Sequence, residues 1–248
     1  FDGVDILNTA TNGYYPFSFS LIASDRTKVA SVTVSNGGSF HWAYAQNADG
    51  SYVTDEDGNY VESTTTNYGV VVLPTTSAST VTVTGTDGYI YIQKTIPFES
   101  GGRFTVAVIN RPGGLDLLRI TDTCCFAPSR AAHFRVGNLA RNSGALDVLL
   151  PDGRAAYSDV RFKEITSFKR IAPGAYEFLF AETNQLPAPA YTDIETLDSA
   201  FIGANPLPDT AASVYLQVTR GRAYTVYLLQ SGQGYNAISP LVVEDVIR

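Results

Sequence analysis

Hydrophobic and polar residues alternate with a period of two in many short segments of this chain, and turn residues separate these segments. Such alternation places every second side chain on the same face, which is the pattern of a half-buried β-strand. No segment has the apolar period and the length of an amphipathic helix. The pattern therefore predicts an all-β protein.

The predicted strands are short and numerous. In the first half they are Tyr15–Leu21, Val32–Ser35, Phe40–Tyr44, Ser51–Thr54, Asn59–Glu62, Gly69–Leu73, Thr80–Thr84, Tyr89–Lys94, Phe104–Ile109 and Leu115–Ile120. In the second half they are His133–Val136, Ala145–Leu150, Ala155–Val160, Thr166–Ile171, Tyr176–Ala181, Val214–Thr219, Tyr224–Leu229 and Leu241–Val243. Short strands joined by turns at this frequency are typical of antiparallel β-sandwiches.

One motif occurs in both halves of the chain. The segment Gly102–Val106 (GRFTV) returns as Gly221–Val226 (GRAYTV). A strand with a similar ending precedes each copy, Tyr91–Gln93 (YIQ) in the first half and Tyr215–Gln217 (YLQ) in the second. The repetition predicts two copies of one structural unit, that is, two tandem antiparallel β-sandwich domains.

The repeat and the turns between strands divide the chain into four parts. We expect an N-terminal extension at residues 1–28, a first domain at 29–122, a linker at 123–129 and a second domain at 130–248. The stretch 183–212 contains four prolines and has no counterpart in the first half, so it is predicted to be a long loop.

The N-terminal extension contains one alternating run, in which Phe17, Phe19 and Leu21 share a face. One interpretation is an edge strand of the first domain, with Pro16 at its start. The other is a strand that adds to the sheet of a neighbouring subunit. The sequence leaves both interpretations open.

Composition restricts the class of partner. The 248 residues are 44% hydrophobic and only 17% charged, against roughly 25% charged in soluble domains, so a globular chain is expected. The net charge is -7, whereas nucleic acids and anionic membranes attract basic surfaces, so neither is expected as a partner. No apolar run reaches the roughly 18 residues needed to cross a bilayer, so no membrane insertion is expected. Because the chain lacks Met even at position 1, we expect a secreted or cell-surface protein whose export signal has been removed.

Five segments of the second half carry a family resemblance. In order, they are Phe134–Leu139, Ala145–Val148, Pro151–Gly153, Tyr157–Phe162 and Ala172–Phe178, and the GRAYTV motif follows them. This order resembles the bacterial domain-of-unknown-function family 4397 over about residues 133–248, and the first half resembles it more loosely. The resemblance implies an exported protein of a bacterial surface with an immunoglobulin- or transthyretin-like sandwich. Since that family has no established activity, the resemblance implies no catalytic residue.

The two cysteines, Cys124 and Cys125, are neighbours in the predicted linker. Three interpretations remain open. They are free thiols in a reducing cell, or they form a strained vicinal disulfide, or they cross-link different subunits because the chain offers no third cysteine. Export to an oxidising compartment favours the two oxidised forms.

The turn between two predicted strands contains Asp55, Asp57 and Asn59, which place oxygen atoms at alternate positions as a calcium loop does. The distal Glu of a helix–loop–helix calcium site is missing. A hairpin built on Asp57-Gly58 explains the same residues. We therefore predict a hairpin, with calcium as the weaker alternative and no other metal or cofactor.

Two groups of aromatic residues are candidates for a ligand surface. The strand containing Phe40, Trp42 and Tyr44 has them on one face, and core packing is the preferred interpretation over a sugar-binding strip. Tyr52 and Tyr60 flank the Asp-Gly turn and are predicted to be exposed. They form the candidate patch for a ligand.

No catalytic signature is present in the sequence. The two histidines, His41 and His133, stand early in the two halves and are interpreted as equivalent structural positions. The chain is therefore predicted to be a non-enzymatic structural subunit of a bacterial surface assembly or fibre, with copies of itself as partners through strand addition and disulfides. The alternative is an adhesion module that binds a surface glycan or protein.

Overall fold

The structure is a computed structural model that describes residues 5–8, 17–23, 29–34, 39–42, 45, 47, 51–61, 68–73, 78–85, 88–97, 104–111, 114–122, 131–183, 209–230 and 238–246. Within these ranges the chain forms strands and no helix, so the predicted all-β class is confirmed. The chain divides into two compact units, Phe1–Thr123 and Cys124–Arg248, called the first and second unit below.

The described part of the first unit contains nine strands in two sheets. The strands are β1 (Asp5–Asn8), β2 (Phe17–Ala23), β3 (Val29–Val34), β4 (Ser39–Trp42), β5 (Tyr68–Leu73), β6 (Ala78–Gly85), β7 (Ile90–Pro97), β8 (Phe104–Arg111) and β9 (Gly114–Thr121). One sheet has the order β4-β5-β2-β1-β8-β9, and the other has the order β3-β6-β7. Buried side chains come from both sheets, including Val81, Ile92 and Ile96 from one and Phe104, Val106 and Ile109 from the other.

The predicted N-terminal extension belongs to the larger of these sheets. Strand β2 pairs with β1 on one side and with β5 on the other, so that Ser20 lies opposite both Asn8 and Val70. The run Phe17–Leu21 is therefore an interior strand, although both interpretations of the sequence required a free edge. The alternation of apolar and polar residues predicts that this segment forms a strand. It does not predict which strands lie beside it, because one of them, β5, is about 50 residues away in the chain.

The described part of the second unit contains eight strands in two four-stranded sheets. The strands are β10 (Ala132–Asn138), β11 (Leu146–Leu149), β12 (Ala155–Val160), β13 (Lys169–Ile171), β14 (Gly174–Glu182), β15 (Thr210–Val218), β16 (Arg222–Gln230) and β17 (Ile238–Val246). The sheet orders are β13-β10-β16-β17 and β12-β11-β14-β15. Strand β15 begins at Thr210, so the last residues of the predicted loop 183–212 are part of a strand.

The core of the second unit lies between its two sheets. Phe134 of β10 and Phe178 of β14 stack with ring centroids 4.3 Å apart. Val136 and Val226 from one sheet and Phe180 from the other belong to the same buried cluster. Side chains from two facing sheets thus share one interior, as in a sandwich-type fold.

One pairing in the second unit departs from the antiparallel expectation. Strand β10 runs parallel to β16, with Phe134 opposite Tyr224. The other strand pairs described in this unit are antiparallel. A parallel pair needs a long connection, and here the chain between the two strands passes through the opposite sheet.

The repeated sequence motifs occupy matching positions in the two units. Strands β7 and β15 are both outermost strands of their described sheets. Tyr91 and Tyr215 are exposed, at 39% and 76%, while the next residues, Ile92 and Leu216, are buried. The repeat therefore preserves which side chain of the strand faces outward.

Candidate functional site

Residues 51–61 form a surface hairpin, called the Tyr52 hairpin below. Its two arms are joined by a bridge between Thr54 and Tyr60 and by a hydrogen bond from the Val61 amide to the Val53 carbonyl. The Ala45 amide donates in turn to the Val61 carbonyl at 2.8 Å. The two predicted strands of this region therefore pair, but through few ladder contacts.

The carboxylate of Asp55 organises the turn of the Tyr52 hairpin. Its Oδ1 atom accepts hydrogen bonds from the backbone amides of Asp57 at 3.0 Å and Asn59 at 2.8 Å. The amide of Asn59 holds the pKa of Asp55 below its usual value, because a hydrogen bond to a carboxylate favours its charged form. Gly58 has a φ of 84°, a conformation that glycine adopts without strain.

These bonds account for the residues that resemble a calcium loop. Asn59 directs its side-chain amide toward Oδ2 of Asp55, at 3.4 Å. Across the described ranges, no three His, Cys, Asp or Glu side chains come together as metal ligands. The turn explains Asp55 and Asn59 without a bound ion.

The tyrosines of the Tyr52 hairpin form an exposed pair. Tyr52 is 50% exposed and Tyr60 is 57% exposed. Their ring centroids are 5.3 Å apart, and the ring planes are inclined at 58°. Val61 beside them is also exposed. Both residues predicted for a ligand patch thus lie together on the surface.

A second exposed tyrosine pair, which is not among the residues predicted for a ligand surface, lies at the start of β7. Tyr89 and Tyr91 are T-shaped, with ring centroids 5.1 Å apart. Ile90 between them is 52% exposed. The signal in the sequence was three consecutive large apolar residues, since a strand cannot bury all three on one face.

The only charged side chain of β7 is neutralised within the first unit. Lys94 places Nζ 2.7 Å from Oδ1 of Asp116 on β9. Arg119, also on β9, donates to the Pro97 carbonyl at 2.7 Å. These two contacts connect the outermost described strands of the two sheets.

The second unit uses a buried amide to fix a loop. Asn138 is fully buried, and its Nδ2 atom donates to the Ser143 hydroxyl and to the Val160 carbonyl, both at 3.0 Å. Its Oδ1 atom accepts from the Ala140 amide at 3.1 Å. Asn138 therefore ties the end of β10 to the following loop and to β12.

The buried carboxylate of Asp147 has a similar structural role. It accepts hydrogen bonds from the Asp159 amide at 2.8 Å and from the Thr183 hydroxyl at 2.9 Å. Asp159 has a φ of 57°, which is uncommon for a residue other than glycine. The carboxylate stabilises this local conformation at the irregular pairing of β11 with β12.

The described histidines do not occupy equivalent strands. His133 lies in β10, in an interior position of its sheet, whereas His41 lies in β4, at the end of its sheet as far as the described strands go. Two residues after His133, the guanidinium of Arg135 packs 4.4 Å from the ring centroid of Phe168 and donates to Thr225 at 3.0 Å. The interpretation of the histidines as equivalent structural positions is therefore wrong. The contacts of Arg135 show that side chains of β10 pack against their neighbours in the fold.

Several predicted features lie outside the described residues. These are Cys124, Cys125, Tyr44, the side chains of Phe40 and Trp42, and residues 184–208 of the predicted loop. The disulfide interpretations and the role of that loop stay predictions.

No protein-family model and no curated protein matches the chain. The resemblance to family 4397 therefore stays a prediction. Over the residues that the structure covers, no helix has the length and apolar character needed to span a membrane.

Proposed function

We propose that this protein is an exported, non-enzymatic structural subunit of a bacterial surface assembly, and that its copies contact one another through aromatic residues of the first unit. One observation carries the proposal. Among described residues with assigned exposure, six of the seven exposed large hydrophobic residues belong to the first unit: Tyr52, Tyr60, Val61, Tyr89, Ile90 and Tyr91. Grouped exposed apolar residues are typical of protein interaction surfaces.

Burial of these side chains supplies the driving force for association. Fully burying one large apolar side chain contributes roughly 1.5–3 kcal/mol, so a few such residues are enough for a specific contact. The interior strand β2 offers no free edge, so strand addition by Phe17–Leu21 is not part of the proposal. Cross-linking by Cys124 and Cys125 remains part of it.

The polar interior of the second unit supports a non-enzymatic role. Asn138 and Asp147 are buried, and their side chains hydrogen-bond to backbone groups and hydroxyls that fix loops. Groups used in this way stabilise the fold. They form no nucleophile–base pair of the kind that covalent catalysis requires.

Self-association of the purified chain tests the proposal. We expect sedimentation to show oligomers whose fraction rises with concentration, and negative-stain images to show ordered assemblies. Non-reducing gels of the chain and of the Cys124→Ser, Cys125→Ser double variant measure the contribution of disulfides. Monomers at every concentration, with or without reductant, would contradict the proposed function.

The tyrosine pair of the Tyr52 hairpin favours a second candidate function, an adhesion module that binds a glycan or protein. The exposed rings of Tyr52 and Tyr60 project from a turn held by Asp55, and aromatic faces stack on sugar rings and on apolar side chains. We expect binding on a glycan array to be lost in Tyr52→Ala and Tyr60→Ala and to be retained in Tyr215→Ala. Retention in all three variants would rule out this patch.

A further inference from the structure

We propose that Asp57 in the turn of the Tyr52 hairpin is a modification site, at which the chain rearranges spontaneously through a succinimide to isoaspartate. Three observations carry the proposal. The Asp57 carboxylate is exposed, the space at Gly58 is open, and a second Asp-Gly pair, Asp152-Gly153, has its carboxylate held in place. The modification needs no partner molecule, so it goes beyond both candidate functions and depends on neither.

The rearrangement uses atoms that the turn already contains. The amide nitrogen of Gly58 attacks the side-chain carboxyl carbon of Asp57, a C–N bond forms, and the carboxyl hydroxyl leaves with the amide proton as water. Water then opens the five-membered ring. Attack at the main-chain carbonyl breaks its bond to the Gly58 nitrogen and gives isoaspartate, whereas attack at the side-chain carbonyl restores aspartate. The water that is lost is regained, so no oxidant, reductant or other reactant is needed.

The carboxylate of Asp57 is available for this attack. The residue is exposed, and its backbone amide donates to Oδ1 of Asp55 at 3.0 Å, which fixes the main chain but not the side chain. Among the residues that the structure describes, no hydrogen bond or ion pair holds the Asp57 carboxylate. An exposed side chain without such bonds exchanges among its rotamers, so it can turn toward the Gly58 nitrogen.

Gly58 gives the ring room to close. A Cβ atom placed on this residue would have no atom within 4 Å, so the surroundings are open. Its φ is 84°, a conformation that glycine adopts without strain. The missing side chain also leaves the attacking nitrogen uncrowded. Steric hindrance therefore does not oppose the succinimide at this position.

A second Asp-Gly pair, in the turn between β11 and β12, provides a comparison within the same molecule. The carboxylate of Asp152 is buried and accepts a hydrogen bond from the backbone amide of Arg154 at 3.0 Å. The guanidinium of Arg154 forms an ion pair with the same carboxylate. These bonds must break before the carboxyl group can turn toward the Gly153 nitrogen. The same dipeptide is therefore protected in the second unit.

The glycine amides do not distinguish the two pairs. Gly58 donates to the Asp55 carbonyl at 3.1 Å, and Gly153 donates to the Leu150 carbonyl at 2.8 Å. Each nitrogen has to release a hydrogen bond of the same kind before it attacks. The expected difference in rate therefore comes from the carboxylates.

Isoaspartate would change the geometry of the hairpin. It adds one methylene group to the main chain between the amides of Asp57 and Asn59, which both donate to Oδ1 of Asp55. With the longer chain, the two amides no longer fit one acceptor oxygen. Because this turn joins the arms that carry Tyr52 and Tyr60, we expect the contact between the two rings to be disturbed as well.

Peptide mapping of the full chain tests the site. The folded protein is incubated at neutral pH and physiological temperature, and isoaspartate is quantified at each Asp-Gly pair by mass spectrometry. We expect isoaspartate to form at Asp57 at least about tenfold faster than at Asp152, because the Asp152 carboxylate must first lose charge-assisted hydrogen bonds. In urea the folded contacts are lost, and the two pairs should react at similar rates.

Two variants separate the chemistry from the fold. Asp57→Glu keeps the charge but cannot form the five-membered ring, so isoaspartate at this position should be abolished. Arg154→Ala releases the Asp152 carboxylate and should raise the rate at Asp152 toward that of the urea-unfolded chain. Circular dichroism checks that both variants remain folded.

The outcomes decide the proposal in either direction. Faster reaction at Asp57 than at Asp152 in the folded chain, with similar rates in urea, supports it. Equal rates in the folded chain, or reaction at Asp57 only after unfolding, would overturn it. Hydrogen exchange of aged protein tests the structural consequence, since protection of the Asn59 amide that survives isoaspartate formation would contradict the altered turn.

Discussion

The second unit buries three of its tyrosines, whereas the first unit exposes every tyrosine whose side chain is described. The buried residues are Tyr157, Tyr224 and Tyr227, and the exposed residues are Tyr52, Tyr60, Tyr89 and Tyr91. Burial of a tyrosine requires a hydrogen-bond partner for its hydroxyl. The second unit supplies such partners, because the Tyr157 hydroxyl lies 2.7 Å from the Phe134 carbonyl oxygen and the Tyr224 hydroxyl accepts from the Thr219 amide at 2.9 Å.

The repeated motif shows this difference between the units at one pair of matching positions. At the matching positions of β8 and β16, the first unit has Phe104 and the second has Tyr224, and both are buried. In the first unit the guanidinium of Arg119 packs 5.1 Å from the Phe104 ring centroid, where no hydroxyl needs a partner. The first unit thus uses phenylalanine in this part of its core and places its described tyrosines at the surface, where their rings are accessible.

The largest expected effect is the contrast between a buried and an exposed tyrosine. Tyr224→Ala should reduce the free energy of unfolding of the second unit by about 3–5 kcal/mol, because it leaves a cavity in the core. Tyr89→Ala should change stability by no more than about 0.5 kcal/mol. Both changes in stability can be measured by urea unfolding, with hydrogen exchange of backbone amides as the probe in each unit. Similar losses in the two variants would contradict the contrast.

The polar network of the second unit should give the next largest effect. Asn138→Ala leaves the Val160 carbonyl and the Ala140 amide without their side-chain partner, and we expect a loss of about 2–4 kcal/mol. Asn142→Ala is the matched control, since Asn142 is exposed and donates its backbone amide, which the substitution keeps, to the side chain of Gln230. Equal unfolding midpoints for the two variants would show that the network is not required.

The buried Tyr157 should make the stability of the second unit depend on alkaline pH. Burial raises the pKa of Tyr157 well above its ordinary value of 10.0, so the neutral hydroxyl is favoured in the folded state. Its contribution is fully present below pH 10 and is lost as the pH rises above 10, because the unfolded chain then releases the proton first.

Comparison of the wild type with Tyr157→Phe at each pH isolates this contribution from that of Lys169, which packs on the Tyr157 ring. The variant should be about 1–3 kcal/mol less stable at neutral pH, through the lost hydrogen bond. The difference should shrink above pH 10. A constant difference from pH 7 to about pH 11 would contradict the assignment.

The smallest expected effect concerns the Tyr52 hairpin of the first unit. The pKa of Asp55 is lowered below 3.8 by hydrogen bonds from Asn59 and Asp57, so the charged carboxylate stabilises the turn. Its contribution is present above pH 3.8 and is lost as the pH falls through the lowered value. Asp55→Ala should accelerate amide exchange at Asp57 and Asn59, while Glu56→Gln should not. Protection that survives in Asp55→Ala would show that the turn forms without the carboxylate.

Part of the candidate surface could be predicted from the sequence. Tyr52 and Tyr60 flank an Asp-Gly turn, and a turn of this kind places its flanking residues at the surface. The pair Tyr89 and Tyr91 was missed because alternation alone does not tell an outermost strand from an interior one. The position of β7 at the end of its sheet is what leaves these residues exposed.

The sequence by itself determined the all-β class, the approximate positions of many strands and the face of each repeated side chain. These properties are local, since a period of two and a turn residue act within a few positions. The tertiary structure alone decided that β2 is interior, that β10 runs parallel to β16, and that the second unit buries three tyrosines while the described tyrosine side chains of the first unit are exposed. Strand neighbours and burial depend on segments far apart in the chain, and the energy of pairing and packing selects among arrangements that the local pattern permits equally.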